Sequence, residues 1–164
     1  MGSYTSFDSE LVALLPRLRR FAHALSRNPA DADDLTQAAI ERALRSRDQW
    51  QPGSRLDSWA YRIMRNLWID TVRARVRKEK VEAPAEEAER IGEVPTAGMD
   101  ASIDLSLMMA AMERLPDEQR EVVALILIEG FGYRETAEML GLPIGTVSSR
   151  LVRGRTALLE MVRT

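Results

Sequence analysis

The 164-residue chain contains no cysteine, so disulfides and thiolate metal sites are excluded together, as suits a reducing interior. Aromatic residues make up only 5% of it, and His23 is the single histidine. No Ser or Cys nucleophile motif lies near His23, which reads as a packed or surface side chain. No apolar run approaches the ~20 residues of a membrane span, and the N-terminus carries no signal-peptide pattern. We therefore expect a cytoplasmic protein without membrane insertion. A phosphate-cradling glycine loop, paired metal ligands and a nucleophile elbow are all missing. Asp31, Asp33, Asp34 and Glu41 are acidic neighbours on one predicted helix but lack loop-type calcium spacing with its glycine, so helix capping or a partner contact suits them better. The expectation is of no catalytic residue, no metal and no cofactor.

The chain is instead rich in Ala, Leu, Arg and Glu, 45% hydrophobic and 29% charged, a composition that favours helix throughout. We find no strand pattern and read the fold class as all-α, with two small helical domains. The net charge of −2 argues against a free-standing, tight nucleic-acid binder. Its distribution is more informative. Residues 1–78 carry 14 Lys and Arg against 9 Asp and Glu, whereas residues 79–104 carry 2 against 8. Residues 145–164 are basic again, at 4 against 1. The acidic stretch 79–104 holds Pro84, Gly92, Pro95 and Gly98 without a sustained apolar period, and reads as a flexible linker with a short helical patch near Glu86 to Ile91. It divides the chain into domains at 7–78 and 105–164.

In the first domain, Leu11, Leu14, Leu15, Leu18, Phe21, Ala22 and Leu25 form a helical stripe. Pro16 inside it points to a kink or a late start. A second helix opens at Asp31 with the stripe Leu35, Ala39, Ile40, Ala43 and Leu44. A third runs from Leu56 or Asp57 to Arg77 with Trp59, Ile63, Leu67 and Val72 inward. Its basic residues are interleaved with Trp59, Tyr61 and Trp68; Arg and Lys hold phosphates, and aromatics stack on unpaired bases. The alternatives are that Trp59 is core and that the terminal basic run is a solvated last turn favoured by the helix dipole. In the second domain, helices are expected over Leu105 to Leu115 and Pro116 to Glu129.

The segment Tyr133 to Leu159 spells a helix, a turn and a second, basic helix. Ala137 allows a close crossing, Gly141 supplies the turn, and Pro143 suits the next helix start. Val147 and Leu151 give that helix a buried stripe, leaving Thr146, Ser148, Ser149, Arg150, Arg153 and Arg155 elsewhere on it. This is the layout of a helix-turn-helix whose second helix lies in a DNA major groove. An αα-hairpin with a solvated basic face is the competing reading.

Three segments in this order, DADDLTQAAIERAL (31–44), WQPGSRLDSWAYRIMRNLWIDTVRARVRK (50–78) and LPDEQREVVALILIEGFGYRETAEMLGLPIGTVSSRLVRGRTAL (115–158), resemble the extracytoplasmic-function (ECF, group IV) sigma factors of bacterial RNA polymerase. The resemblance covers nearly the whole chain. It implies a promoter-specificity factor whose partners are core RNA polymerase, promoter DNA as duplex and as melted strand, and an anti-sigma factor. Region 2 would occupy 7–78 and region 4 would occupy 105–164. The resemblance implies that Asp33, Asp34, Gln37 and Ile40 contact the polymerase clamp. It implies a minus-ten surface of Trp50, Gly53, Ser54, Arg55, Arg62, Arg65, Asn66, Trp68, Asp70, Arg73 and Arg77, with the loop from Gln51 to Arg55 capturing a flipped base. It assigns minus-35 reading to Thr146, Ser148, Ser149, Arg150, Val152, Arg153 and Arg155, and flap docking to the apolar helix from Val122 to Ile128. Pro52 replaces a commoner basic residue, and Ala38, Ala39 and Ile40 replace a Glu, a β-branched residue and an aromatic. Two other classes compete: a stand-alone helix-turn-helix regulator, which leaves 50–78 without a role, and a sigma-like anti-sigma decoy, expected to lack the basic residues at 73–78 and 150–155.

Overall fold

The computed structural model describes residues 2–81 and 101–163, and side chains from Ser6 and Ser106 onward in the two segments. Among the described residues there are seven α-helices and no strand: α1 (Gly2–Ser26), α2 (Pro29–Arg45), α3 (Leu56–Val81), α4 (Ala101–Glu113), α5 (Asp117–Val123), α6 (Tyr133–Leu140) and α7 (Ile144–Arg163). The helical patch expected at Glu86 to Ile91 lies outside the described residues.

Helices α1, α2 and α3 pack on one another. Pro16 neither breaks α1 nor delays it; the helix runs on through it. Phe7, Leu11, Leu18, Phe21, Ala22 and Leu25 are buried, so the predicted stripe is the core stripe, with Leu14 and Leu15 half-exposed at its margin. The chain leaves α1 through Arg27 in the left-handed region (φ 59°), its N–H donating to the His23 carbonyl at 2.9 Å. Asn28 then caps α2, its side-chain oxygen accepting from the N–H groups of Ala30 and Asp31 at 2.9 and 3.1 Å, with Pro29 as the first helical residue.

Two inward assignments are corrected. Leu44 is exposed, and α2 instead buries Ala32, Leu35, Thr36, Ala39 and Ala43. Val72 is also exposed, because α3 outruns the bundle and is open to solvent from Val72 to Val81. The face of α3 that enters the core is Leu56, Ala60, Tyr61 and Met64, one step round from the predicted line; Trp59, Ile63 and Leu67 are half-buried flanks.

The C-terminal helices are organised by α7, which packs on α4, α5 and α6. The helix expected to run to Glu129 ends as α at Val123 and continues as one π turn, Ala124–Ile128. The widened turn leaves Ala124 and Leu125 buried and Leu127 and Ile128 exposed. Gly141 stops α6 in the left-handed conformation (φ 66°, ψ 36°), the geometry its sequence position predicts. Val147 and Leu151 are buried as expected, and Gly154 lets α5 approach closely. A Cβ at Gly154 would meet Val123 Cγ2 at 2.7 Å and Gln119 Cβ at 3.4 Å. Val123 is fully buried and β-branched, so it has little freedom to turn away. Gly154→Ala should therefore incur an overpacking cost of about 1–3 kcal/mol that outweighs the ~1 kcal/mol of helix propensity gained. A lower urea midpoint by circular dichroism is the expected result; an unchanged midpoint would show that the helices yield.

The two halves also pack against each other. Helix α1 meets α5 and the π turn, and α3 meets α6.

Candidate polymerase and nucleic-acid interfaces

On α2, Asp33, Asp34 and Gln37 are exposed and Ile40 is half-buried. A groove between α1 and α2 brings Asp33, Gln37 and Ile40 together with Leu15, Arg19, Thr36 and Glu41. Asp34 lies outside that lining. Asp31 differs from its acidic neighbours, since both its oxygens accept from Arg75, at 2.8 and 3.0 Å. The surface is thus an apolar floor of Leu15 and Ile40 with a mixed polar rim of Asp33, Glu41, Gln37 and Arg19.

The loop before α3 rests on an aromatic support. Phe7 of α1 packs against Trp50 (5.5 Å) and Trp59 (6.0 Å). Gly53 takes φ +93°, and the Ser54 hydroxyl donates to the Gln51 carbonyl at 2.6 Å, closing the turn. Gly53 and Ser54 are exposed above this support. Along α3, Arg62, Asn66, Asp70, Arg73 and Arg77 follow one another at helical spacing and are all exposed. Trp68 is half-buried with the Arg75 guanidinium over its ring at 5.5 Å.

Two expected readers are engaged within the chain, and one of the interleaved aromatics is covered. Arg65 pairs with Glu121 of α5. Arg55 donates to Asp57 and, at 2.6 Å, to Glu135 of α6. Tyr61 is buried between Phe21 (4.8 Å) and Phe131 (5.5 Å), so it is not an exposed stacking ring here.

Sequence reasoning missed the centre of this junction. Glu129, whose side chain is 1% exposed, accepts from Arg17 Nε (3.0 Å), Arg20 Nε (2.8 Å) and the Tyr61 hydroxyl (2.8 Å). Burial and the Glu129 hydrogen bond hold the Tyr61 hydroxyl far above the usual phenol range. Burial pushes the Glu121 carboxyl up, against the opposing pull of Arg65, Arg150 and Arg120. Arg120 of α5 is buried and enters the C-terminal end of α1, bonding the Ala24 and Leu25 carbonyls as well as Leu115 and Asp117. Arg27 reaches back to the Glu113 carbonyl and to Asp117 at 3.0 and 2.9 Å. The only sequence signal was charge sign, and a pair such as Arg17 and Glu129 is 112 residues apart.

On α7, Ser149, Val152, Arg153 and Arg155 are exposed, while Thr146, Ser148 and Arg150 are half-buried. Arg150 leans toward Glu118 of α5 at 3.7 Å. Ser149, Val152 and Arg153 share one open face, opposite the side that buries Val147 and Leu151.

Two helical units, one ending in a helix-turn-helix and the other presenting an aromatic-backed arginine helix, define a protein of the nucleic-acid-reading class. Residues 11–78 match the family described as Sigma-70 region 2, and residues 105–158 match Sigma-70, region 4. The chain is 38% identical over 153 residues to the ECF RNA polymerase sigma factor EcfG of Rhodopseudomonas palustris, covering 93% of this chain and 83% of that one. It is 41% identical to the ECF RNA polymerase sigma factor SigE of Mycolicibacterium smegmatis, covering 93% of this chain and 60% of that longer relative. Among solved structures, it superposes with a TM-score of 0.82 on the sigma factor RpoE of Bartonella quintana, crystallised with the anti-sigma factor NepR; identity is 33%, over 97% of this chain and 98% of that one. The chain belongs to the ECF RNA polymerase sigma factors. None of the described helices is long and apolar enough to cross a membrane.

Proposed function

We propose that this chain binds core RNA polymerase and directs it to promoters, reading the minus-ten element with α3 and the loop before it, and the minus-35 element with α7. One observation carries the reading. An exposed arginine–asparagine strip on α3 and an exposed Ser–Arg face on α7 occur in one chain, in the order that both sigma-70 matches require. The rim and floor of the α1–α2 groove, with Asp33, Gln37 and Ile40, form the clamp-binding face, and Asp34 extends it. Opening a promoter needs no catalytic group, since capture of unstacked bases stabilises the melted strand by ~1–3 kcal/mol per base. An anti-sigma protein is part of the reading, supported by the partner with which RpoE was crystallised.

Promoter-selective run-off transcription with purified core polymerase tests the proposal. Within that assay, Arg153→Ala should relax preference among minus-35 variants, because an arginine forked onto a guanine edge discriminates by ~1–3 kcal/mol. Arg155→Ala should lower output from all of them alike, as loss of a phosphate contact does. A uniform loss from Arg153→Ala would move Arg153 to the backbone and off the base edges.

A further inference from the structure

We propose that the region 4 segment from Glu129 to Glu135, a loop running into the first turn of α6, fills a site in region 2 built for one unstacked nucleotide and its flanking phosphates. The inference deepens the sigma-factor reading, on which it rests, by naming where part of the melted strand is held and what holds that place in the free chain.

The first observation is the setting of Phe131. Its ring meets Tyr61 edge-on (87°, 5.5 Å) and lies under the Arg55 guanidinium at 4.7 Å. A guanidinium over the ring is a contact that an unstacked base also takes, while Tyr61 meets the same ring edge-on and does not stack on it. Gly130 (φ +78°) and Gly132 flank Phe131 and let the ring project from a tight loop.

The second observation is the placing of the carboxylates. On one side of Phe131, Glu129 accepts from Arg17, Arg20 and the Tyr61 hydroxyl; on the other, Glu135 accepts from Arg55. Guanidinium forks bind phosphate and carboxylate with the same geometry, so the acids stand where backbone phosphates would. Among the described residues, the region 2 carboxylate paired with these arginines is Asp57, which serves both Arg17 (3.2 Å) and Arg55 (2.9 Å). Separation of region 4 would leave three cations around one acid beside an uncovered aromatic ring, a surface with strong affinity for a polyanion carrying bases.

The third observation is continuity. Arg55 ends the loop proposed to capture a base, and Arg65, also covered by a region 4 carboxylate, adjoins the exposed strip at Arg62 and Asn66. The site therefore extends the minus-ten surface onto α1 through Arg17 and Arg20, which sequence reasoning did not assign to DNA. The same side chains cannot hold both the loop and the strand, so in the closed chain this site is shut to single-stranded DNA while the exposed strip on α3 stays open.

The absence of cysteine makes the test direct. Dyes on Arg45→Cys and Arg163→Cys, both exposed, report domain separation by energy transfer in the full chain. Anisotropy of a fluorescein-labelled, mixed-sequence single-stranded oligodeoxynucleotide reports binding at fixed salt. The double variant Glu129→Gln, Glu135→Gln should lower energy transfer and tighten oligonucleotide binding by about tenfold. Adding Arg17→Ala and Arg20→Ala should take that gain away while the halves stay apart. Separation without tighter binding, tighter binding that survives loss of Arg17 and Arg20, or no change in either signal would each overturn the proposal. Run-off transcription by the unaltered chain judges the sigma reading separately. A chain that directs transcription but lacks this response keeps the reading and loses the nucleotide site.

Discussion

Arg120→Ala should swing the two halves of the chain apart without melting either. The Arg120 guanidinium is buried, and burial, with the nearby Arg27 cation, pulls its affinity for the proton down; Asp117 and Glu121 oppose that pull. What keeps it in place is four hydrogen bonds, with the Ala24, Leu25 and Leu115 carbonyls and the Asp117 carboxylate as acceptors. Two of those acceptors belong to the last turn of α1, where carbonyls have no intrahelical partner. Truncation leaves them facing a dry void, and each buried carbonyl left without a donor costs about 1–3 kcal/mol. Opening the interface lets water reach them, so the penalty falls on the closed state and favours opening by roughly tenfold or more. Small-angle scattering should show a larger radius of gyration with helical circular dichroism retained. An unchanged radius would mean that the remaining contacts, Glu129 with its three donors above all, hold the halves without Arg120.

Asn66→Ala combined with Trp68→Ala should abolish open-complex formation while leaving closed-complex binding through α7. Asn66 is exposed on the α3 strip and offers both a donor and an acceptor to a base edge. Trp68 is half-buried, and the Arg75 guanidinium covers one face of its ring. Because Arg75 also pairs with Asp31, losing Trp68 loosens the join between α3 and the start of α2. Two measurements are therefore needed. Permanganate reactivity of unpaired thymines should vanish from the minus-ten region, and the thermal unfolding curve should move only slightly. Full permanganate reactivity would remove these two residues from the opening mechanism.

The readable parts of this chain were those decided by near neighbours. The helix-turn-helix followed from Gly141, Val147 and Leu151, because a left-handed turn and an i, i+4 stripe are local facts. The exposed members of the α3 strip were also legible, as basic and polar residues at helical spacing. Tyr61 was not. Trp59 is the larger ring and suggested the core line, yet Tyr61 is drawn inward by Phe21 of α1 and Phe131 of the other half. Val72 fits an apolar period that continues after the bundle has ended, and periodicity carries no sign of where the partner helix stops; Leu44 sits one step off the buried line through Ala39 and Ala43. The junction around Glu129 was hidden for a related reason. Its donors come from α1 and α3, and nothing local to a glutamate at the end of an apolar run distinguishes a buried acid from a solvated one.

The length of α3 bears on kinetics. From Val72 to Val81 every residue is exposed, so the helical form there gains no free energy from the core. Stretches shorter than about 12–15 residues are marginal as isolated helices in water. Here winding is supported from behind by the packed half of α3, and from the side by the Arg75–Asp31 pair and the basic residues placed at the negative end of the helix dipole. The end of α3 should therefore fray and rewind on the nanosecond-per-residue scale of helix elongation. Phosphates laid along Arg73, Arg77 and Lys78 neutralise their mutual repulsion and favour the wound form. If α3 reads DNA as proposed, part of that attraction is spent on ordering this end, which lowers the affinity of a first encounter and lets a wrong site be released quickly.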